Sequence, residues 1–230
     1  SAPPDDDFGH RHCLLRTLNI SHELLLSCTK LSQIARISDL VKALVESGVT
    51  DTNAEIRDRA VRCLGLFCVL DEVVAAVYLP LLVTVANTDV QDLRSTALSA
   101  CFDIAMAYRS PEWAALPDSL TVASSDSIFP KLFTHLSSEM PLVRSVAAEG
   151  FAKLIISARL RSKASIEKEA LTALALLYFS PHSDDETSLR QCLAIFFPTF
   201  IRRSPSSVHL VESVFLACLR HVIHAPKTCS

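Results

Sequence analysis

Glycine is scarce in this chain: four residues in 230, at positions 9, 48, 65 and 150. That shortage argues against a turn-rich all-β chain and leaves almost nothing from which to build a backbone cradle for nucleotide phosphates. A G-x-S-x-G elbow, a glycine-rich phosphate loop and an H-E-x-x-H helix are all missing, so the common hydrolase and metalloprotease chemistries have no motif here. There is no surplus of positive charge either. Lys and Arg number 22 against 25 Asp and Glu, a net charge of −3, so no global field draws in nucleic acid and any DNA contact must be local. The longest apolar run, 73–86, is too short to span a bilayer and contains Pro80. None of the eight cysteines (13, 28, 63, 68, 101, 192, 218 and 229) forms a C-x-x-C pair, and most sit inside apolar helical runs. Buried reduced thiols are expected, not a zinc or disulfide framework. His10, His12 and Cys13 are the densest metal-like cluster but have no fourth ligand, and His221 and His224 share a helix face near a helix end. The expectation is a non-enzyme with no cofactor, no metal, no membrane and no small-molecule substrate. The chain opens at Ser1 without a secretory leader, and it reads as a piece of a longer protein.

What is present is repetition. Half of the residues are hydrophobic and only a fifth are charged, and four segments share one pattern. Each has a polar or acidic turn, an aliphatic-Arg pair, then small and large apolar residues at helical spacing. The segments are 51–67, 89–104, 138–155 and 184–200, and the pairs are Ile56-Arg57, Leu93-Arg94, Val143-Arg144 and Leu189-Arg190. Consecutive arginines stand 37, 50 and 46 residues apart, the period of stacked helix pairs with one longer insertion. Helical stretches at 38–47, 72–86, 128–136, 165–179 and 208–224 alternate with these segments. They read as outer (A) helices, the arginine-bearing segments as inner (B) helices, and 13–31 as the B helix of a repeat that starts upstream. Asp51, Asp89 and Asp184 are expected to cap B helices, Pro141 to open one, and Pro80 and Pro198 to kink or break their runs. The fold class is all-α, an α-solenoid of antiparallel helix pairs in a right-handed superhelix. The domain plan is a disordered or linker start over 1–9, then a solenoid of about four to five repeats over 10–230, with a polar, serine-rich insertion at 109–126.

Charge is distributed unevenly. Residues 1–115 carry ten Lys/Arg against fifteen Asp/Glu, whereas 116–230 carry twelve against ten. Stacking lines up equivalent positions, so Arg109, Arg159, Arg161, Lys163, Arg202 and Arg203 after the B helices would gather on one edge. Asp51, Asp89, Glu139, Asp184, Asp185 and Glu186 would gather on the other. Complementing helix dipoles is the first account of such an arrangement, and an edge that contacts DNA phosphates or an acidic peptide is the alternative. On the second account Arg159, Arg161, Lys163, Arg202 and Arg203 are the candidate DNA contacts, without base readout. Arg57, Arg94, Arg144 and Arg190 are expected to be structural, forming ion pairs and hydrogen bonds between neighbouring repeats.

The polar turn, the aliphatic-Arg pair and the small residue after it resemble the second helix of HEAT repeats. More specifically, the stretches at 55–71, 143–157 (VRSVAAEGFAKLIIS) and 189–200 (LRQCLAIFFPTF), with the closing HAP at 224–226, resemble the CAP-G family of condensin subunits. That resemblance covers most of the chain from about residue 50 onward. It implies a non-catalytic HEAT-type subunit that binds the kleisin CAP-H and, with it, double-stranded DNA without sequence preference. It further implies indirect attachment to the SMC heterodimer, a role in mitotic chromosome condensation, and a nuclear or chromosomal location with a cytoplasmic pool. A HEAT scaffold that binds only proteins, of the transport or phosphatase type, is the alternative.

Overall fold

The structure, a computed structural model, describes residues 5–35, 38–108, 128–160, 164–180 and 185–224. Its ten α-helices are α1 (Asp5–Ser27), α2 (Ser38–Val49), α3 (Ala54–Leu70), α4 (Glu72–Thr88), α5 (Gln91–Ala107), α6 (Ile128–Phe133), α7 (Pro141–Ile156), α8 (Ala164–Phe179), α9 (Thr187–Arg203) and α10 (Pro205–His224). Short 3-10 turns lie at Leu31–Ile34 and Thr134–Ser137, and no strand occurs among the described residues. No helix there is long and apolar enough to cross a membrane. The chain divides into two compact units, Ser1–Ile128 and Phe129–Ser230. Helix α1 begins at Asp5, inside the 1–9 stretch expected as a linker. The expected insertion at 109–126 lies outside the described residues.

In the first unit α3 lies between α1 and α5, with α2 and α4 packed across it. The repeated sequence pattern explains why. The aliphatic partner of each arginine is buried, as are the residues four and eleven positions further along: Ile56, Ala60 and Phe67 in α3, and Leu93, Ala97 and Ile104 in α5. Alanine at the middle position lets the helices approach. Gly65 goes further, since a Cβ placed on it would stand 2.8 Å from the Ala100 Cβ of α5. In the second unit α7 packs on α9, and α10 packs on α8 and α9. The same three positions are buried there as Val143, Ala147 and Leu154 in α7 and as Leu189, Leu193 and Phe200 in α9. Phe133 meets Phe151 edge-on at 5.9 Å, seating the short α6 beside α7.

Some helix ends and both interior prolines depart from expectation. Pro141 opens α7 as anticipated. By contrast, α4 and α9 run through Pro80 and Pro198 without a break, although an interior proline costs about 3 kcal/mol. Burial of Leu79, Leu82 and Val83 around Pro80, and of Leu193, Phe196 and Phe200 around Pro198, opposes that cost. Capping also shifts by a few residues. Asn53 caps α3 through the Glu55 amide at 2.8 Å, and the Asp51 carboxylate accepts from the Asn53 amide instead. Asp71 caps α4 through the amides of Val73 and Val74. Asp89 does not cap α5, whose N-cap is Val90; its carboxylate accepts from the Val90 amide and is otherwise held by an arginine. Asp184 lies outside the described residues.

Candidate nucleic-acid interface

Neighbouring B helices are tied at both ends, and those ties decide which arginines remain available. At the start of α3, Arg57 donates from Nη1 to the carbonyls of Asp51 and Thr52, both at 3.0 Å, in the turn before its own helix. Its Nε and Nη2 donate to the two carboxylate oxygens of Asp89 at 3.1 and 2.8 Å, just before α5. Both side chains of the pair are only 19% exposed. The hydrogen bond from Arg57 holds the Asp89 carboxyl below the usual range, and the guanidinium is raised in return. In the second unit Arg144 makes the same kind of tie. It donates from Nη1 to the Ser138 carbonyl and from Nη2 to the Glu186 carboxylate before α9. Arg94 donates to the Ala86 carbonyl at 3.0 Å, and Arg190 has interactions of its own.

The opposite ends are joined by side chains from the end of the later B helix. Tyr108, directly after α5, donates its hydroxyl to the last carbonyls of α3, Cys68 and Val69, each at 2.8 Å. Burial pushes its phenol up to about 12, which keeps the donating proton in place at neutral pH. Arg203, the last residue of α9, donates from Nη1 to the Ile155 carbonyl of α7 at 2.9 Å. Sequence reasoning missed Tyr108 altogether. Its signal is positional: Tyr108 and Arg203 stand fourteen and thirteen residues after the repeat arginines Arg94 and Arg190.

The five candidate DNA contacts therefore separate into groups. Arg161 and Lys163 lie outside the described residues, as does Arg109. Arg203 is half-buried and already serves the end of α7. Arg202 is exposed beside it. Arg159 follows a left-handed turn at Ala158, with φ of 57°, where the Arg159 amide returns to the Leu154 carbonyl and the Ala158 amide to Ile155. Its guanidinium Nη1 is buried and has no hydrogen-bond partner. The Arg159 backbone amide and the Arg203 guanidinium thus both bond to the last turn of α7. On the acidic edge Asp89 and Glu186 are engaged by arginines.

No group of three or more His, Cys, Asp or Glu that could hold a metal occurs among the described residues, and the cysteines there are free thiols. Desolvation pushes the Cys63 and Cys68 thiols up to about 12, so both stay protonated and act as small apolar fillers.

Stacked antiparallel helix pairs, with B helices side by side and tied through a recurrent arginine, define a HEAT-type repeat protein. Within that class the chain belongs to the Cnd3 family, nuclear condensing complex subunits, whose C-terminal domain model matches residues 16–230. Condensin complex subunit 3 of Xenopus laevis is 27% identical over 252 residues, covering 94% of this chain and 24% of the frog protein. The Homo sapiens subunit of that name is 26% identical, covering 94% of this chain and 22% of the human protein. The chain therefore spans about a quarter of the length of these relatives. A crystal structure of the S. pombe condensin Cnd3-Cnd2 subcomplex shares the fold, with a TM-score of 0.81 at 22% identity, over 97% of this chain and 29% of that one.

Proposed function

We propose that this chain is part of a non-catalytic condensin subunit that binds the kleisin CAP-H and, together with it, holds double-stranded DNA without sequence preference on mitotic chromosomes. The SMC heterodimer would be reached through the kleisin. Family membership supports the condensin assignment, and the S. pombe relative was crystallised with Cnd2, its kleisin. The observation that carries the DNA contact is the exposed Arg202 at the end of α9, next to Arg203, with the half-buried Arg159 just after α7. The Arg202 guanidinium would donate to a phosphate oxygen. Arg203 acts differently in this scheme: it fixes the end of α7 and adds positive charge nearby.

The test is duplex binding by the kleisin-bound subunit as salt is varied. Arg159→Glu with Arg202→Glu is expected to weaken affinity and to flatten the log–log salt slope by about 2, close to 0.9 for each lost phosphate contact. An unchanged slope would remove both residues from the interface. The net charge of −3 favours a second reading, a scaffold that binds only proteins. Absence of salt-sensitive duplex affinity, with or without kleisin, would select it.

A further inference from the structure

Where α9 gives way to α10 the sequence reads Arg202-Arg203-Ser204-Pro205-Ser206-Ser207. Ser-Pro pairs begin at positions 110, 180 and 204, and only the last lies wholly within the described residues. Ser204 is the single residue between the two helices. Its backbone is extended, with φ of −164° and ψ of 156°, as a residue before proline prefers. Arg202, Pro205 and Ser206 are exposed around it, and Ser204 itself is half-buried. Its Oγ accepts from the Ser207 amide at 3.2 Å and lies 2.9 Å from the hydroxyls of both Ser206 and Ser207. Each of these groups can donate, so an anionic oxygen carried on Ser204 meets donors already in place. A cavity of about 260 Å³ opens beside the turn, lined by Arg203, Ser206 and Ser207 and, from α8, by Glu167.

We propose that Ser204 is phosphorylated by a proline-directed protein kinase and that its phosphate weakens the duplex contact of Arg202. Pro205 has no N–H to leave unsatisfied in a kinase groove, which is how such an enzyme selects the residue after its target. The kinase transfers the γ-phosphoryl group of ATP. A bond forms between Ser204 Oγ and phosphorus, the bond from phosphorus to the bridging oxygen of ADP breaks, and the hydroxyl proton passes to the kinase's base. The product carries about −1.5 to −2 charges at neutral pH, enough to offset the two of Arg202 and Arg203. Two residues of chain span at most ~7 Å, inside the ~8 Å over which physiological salt screens charge. Arg202 then has a phosphate within its own chain to pair with instead of one on the duplex. The effect on binding rests on the DNA reading above; the modification itself does not.

The experiment uses the full-length subunit in complex with its kleisin. The complex is incubated with ATP and a purified proline-directed kinase, and modified residues are mapped by mass spectrometry. Phosphate is expected on Ser204 and is lost in Pro205→Ala. Phosphoserine is then installed at position 204 by codon suppression, or at the exposed Ser47 of α2 as a control, and duplex binding is titrated as salt is varied. At physiological salt the form modified at 204 is expected to bind about tenfold more weakly, with the log–log salt slope reduced by about 1, while the control is unchanged. If the phosphoserine form fails to fold, Ser204→Asp, which keeps an acceptor for the Ser207 amide, decides with about a threefold loss. No phosphate on Ser204 overturns the site. Unchanged affinity of the modified complex, or an equal loss from position 47, overturns the local switch and leaves the DNA reading intact. An unmodified complex without duplex affinity defeats that reading and the switch together, and the mass spectra still decide the site.

Discussion

Replacing Asp89 by alanine removes three hydrogen bonds at once: those from Arg57 Nε and Nη2 and that from the Val90 amide. Breaking a fully buried ion pair from one side costs about 3–5 kcal/mol, whereas an exposed pair is worth about 0–1 kcal/mol. With both partners 19% exposed the pair lies nearer the buried case, but Arg57 keeps the carbonyls of Asp51 and Thr52 as acceptors. The expected loss is therefore about 2–3 kcal/mol for Asp89→Ala, and about 1–2 kcal/mol for Asp89→Asn, which retains one acceptor oxygen. Urea unfolding followed by circular dichroism measures both, and a cycle with Arg57→Met isolates the coupling. The pH dependence adds an independent check. The folded Asp89 carboxyl is held below its unfolded value, so its contribution is complete above about pH 4 and fades as pH falls through the folded value. Wild type and Asp89→Asn should converge in acid. A difference below about 0.5 kcal/mol at pH 7, or parallel curves down to low pH, would show that the pair behaves as an ordinary surface contact.

Tyr108→Phe should cost about 1–2 kcal/mol, since it leaves the ends of α3 without the hydroxyl shared by Cys68 and Val69; thermal unfolding reads the loss. Ala158→Gly should stabilise the second unit by about 0.5–1 kcal/mol by relieving the left-handed conformation of an alanine, and a lowered unfolding midpoint would contradict that.

The helix-pair fold was legible because the pattern recurs residue by residue. An aliphatic residue before each arginine and a small or apolar residue four positions after that aliphatic residue are packing requirements, and packing follows helical periodicity. Local signals were less informative at the ends of helices. An acid before a B helix looks like a cap from sequence, but at Asp89 a guanidinium from the preceding repeat competes for the carboxylate and wins. Prolines 80 and 198 look like kinks or breaks, but the apolar residues around them are buried and their helices run on unbroken. Basic residues following B helices look alike in sequence. Only coordinates separate Arg203, which bonds to Ile155, from Arg159, whose Nη1 finds no acceptor.

Arg57 and Asp89 are 32 positions apart, whereas Arg144 and Glu186 are 42 apart, yet each arginine reaches a carboxylate just before the following B helix. The surplus ten positions are absorbed by longer connections around α8, away from the joint itself. Linkers can therefore lengthen or shorten over generations without disturbing how adjacent modules mate, provided an acid remains at the doorstep of the next inner helix. Diversification of surface loops and preservation of the stacking register are, in this architecture, separable evolutionary problems.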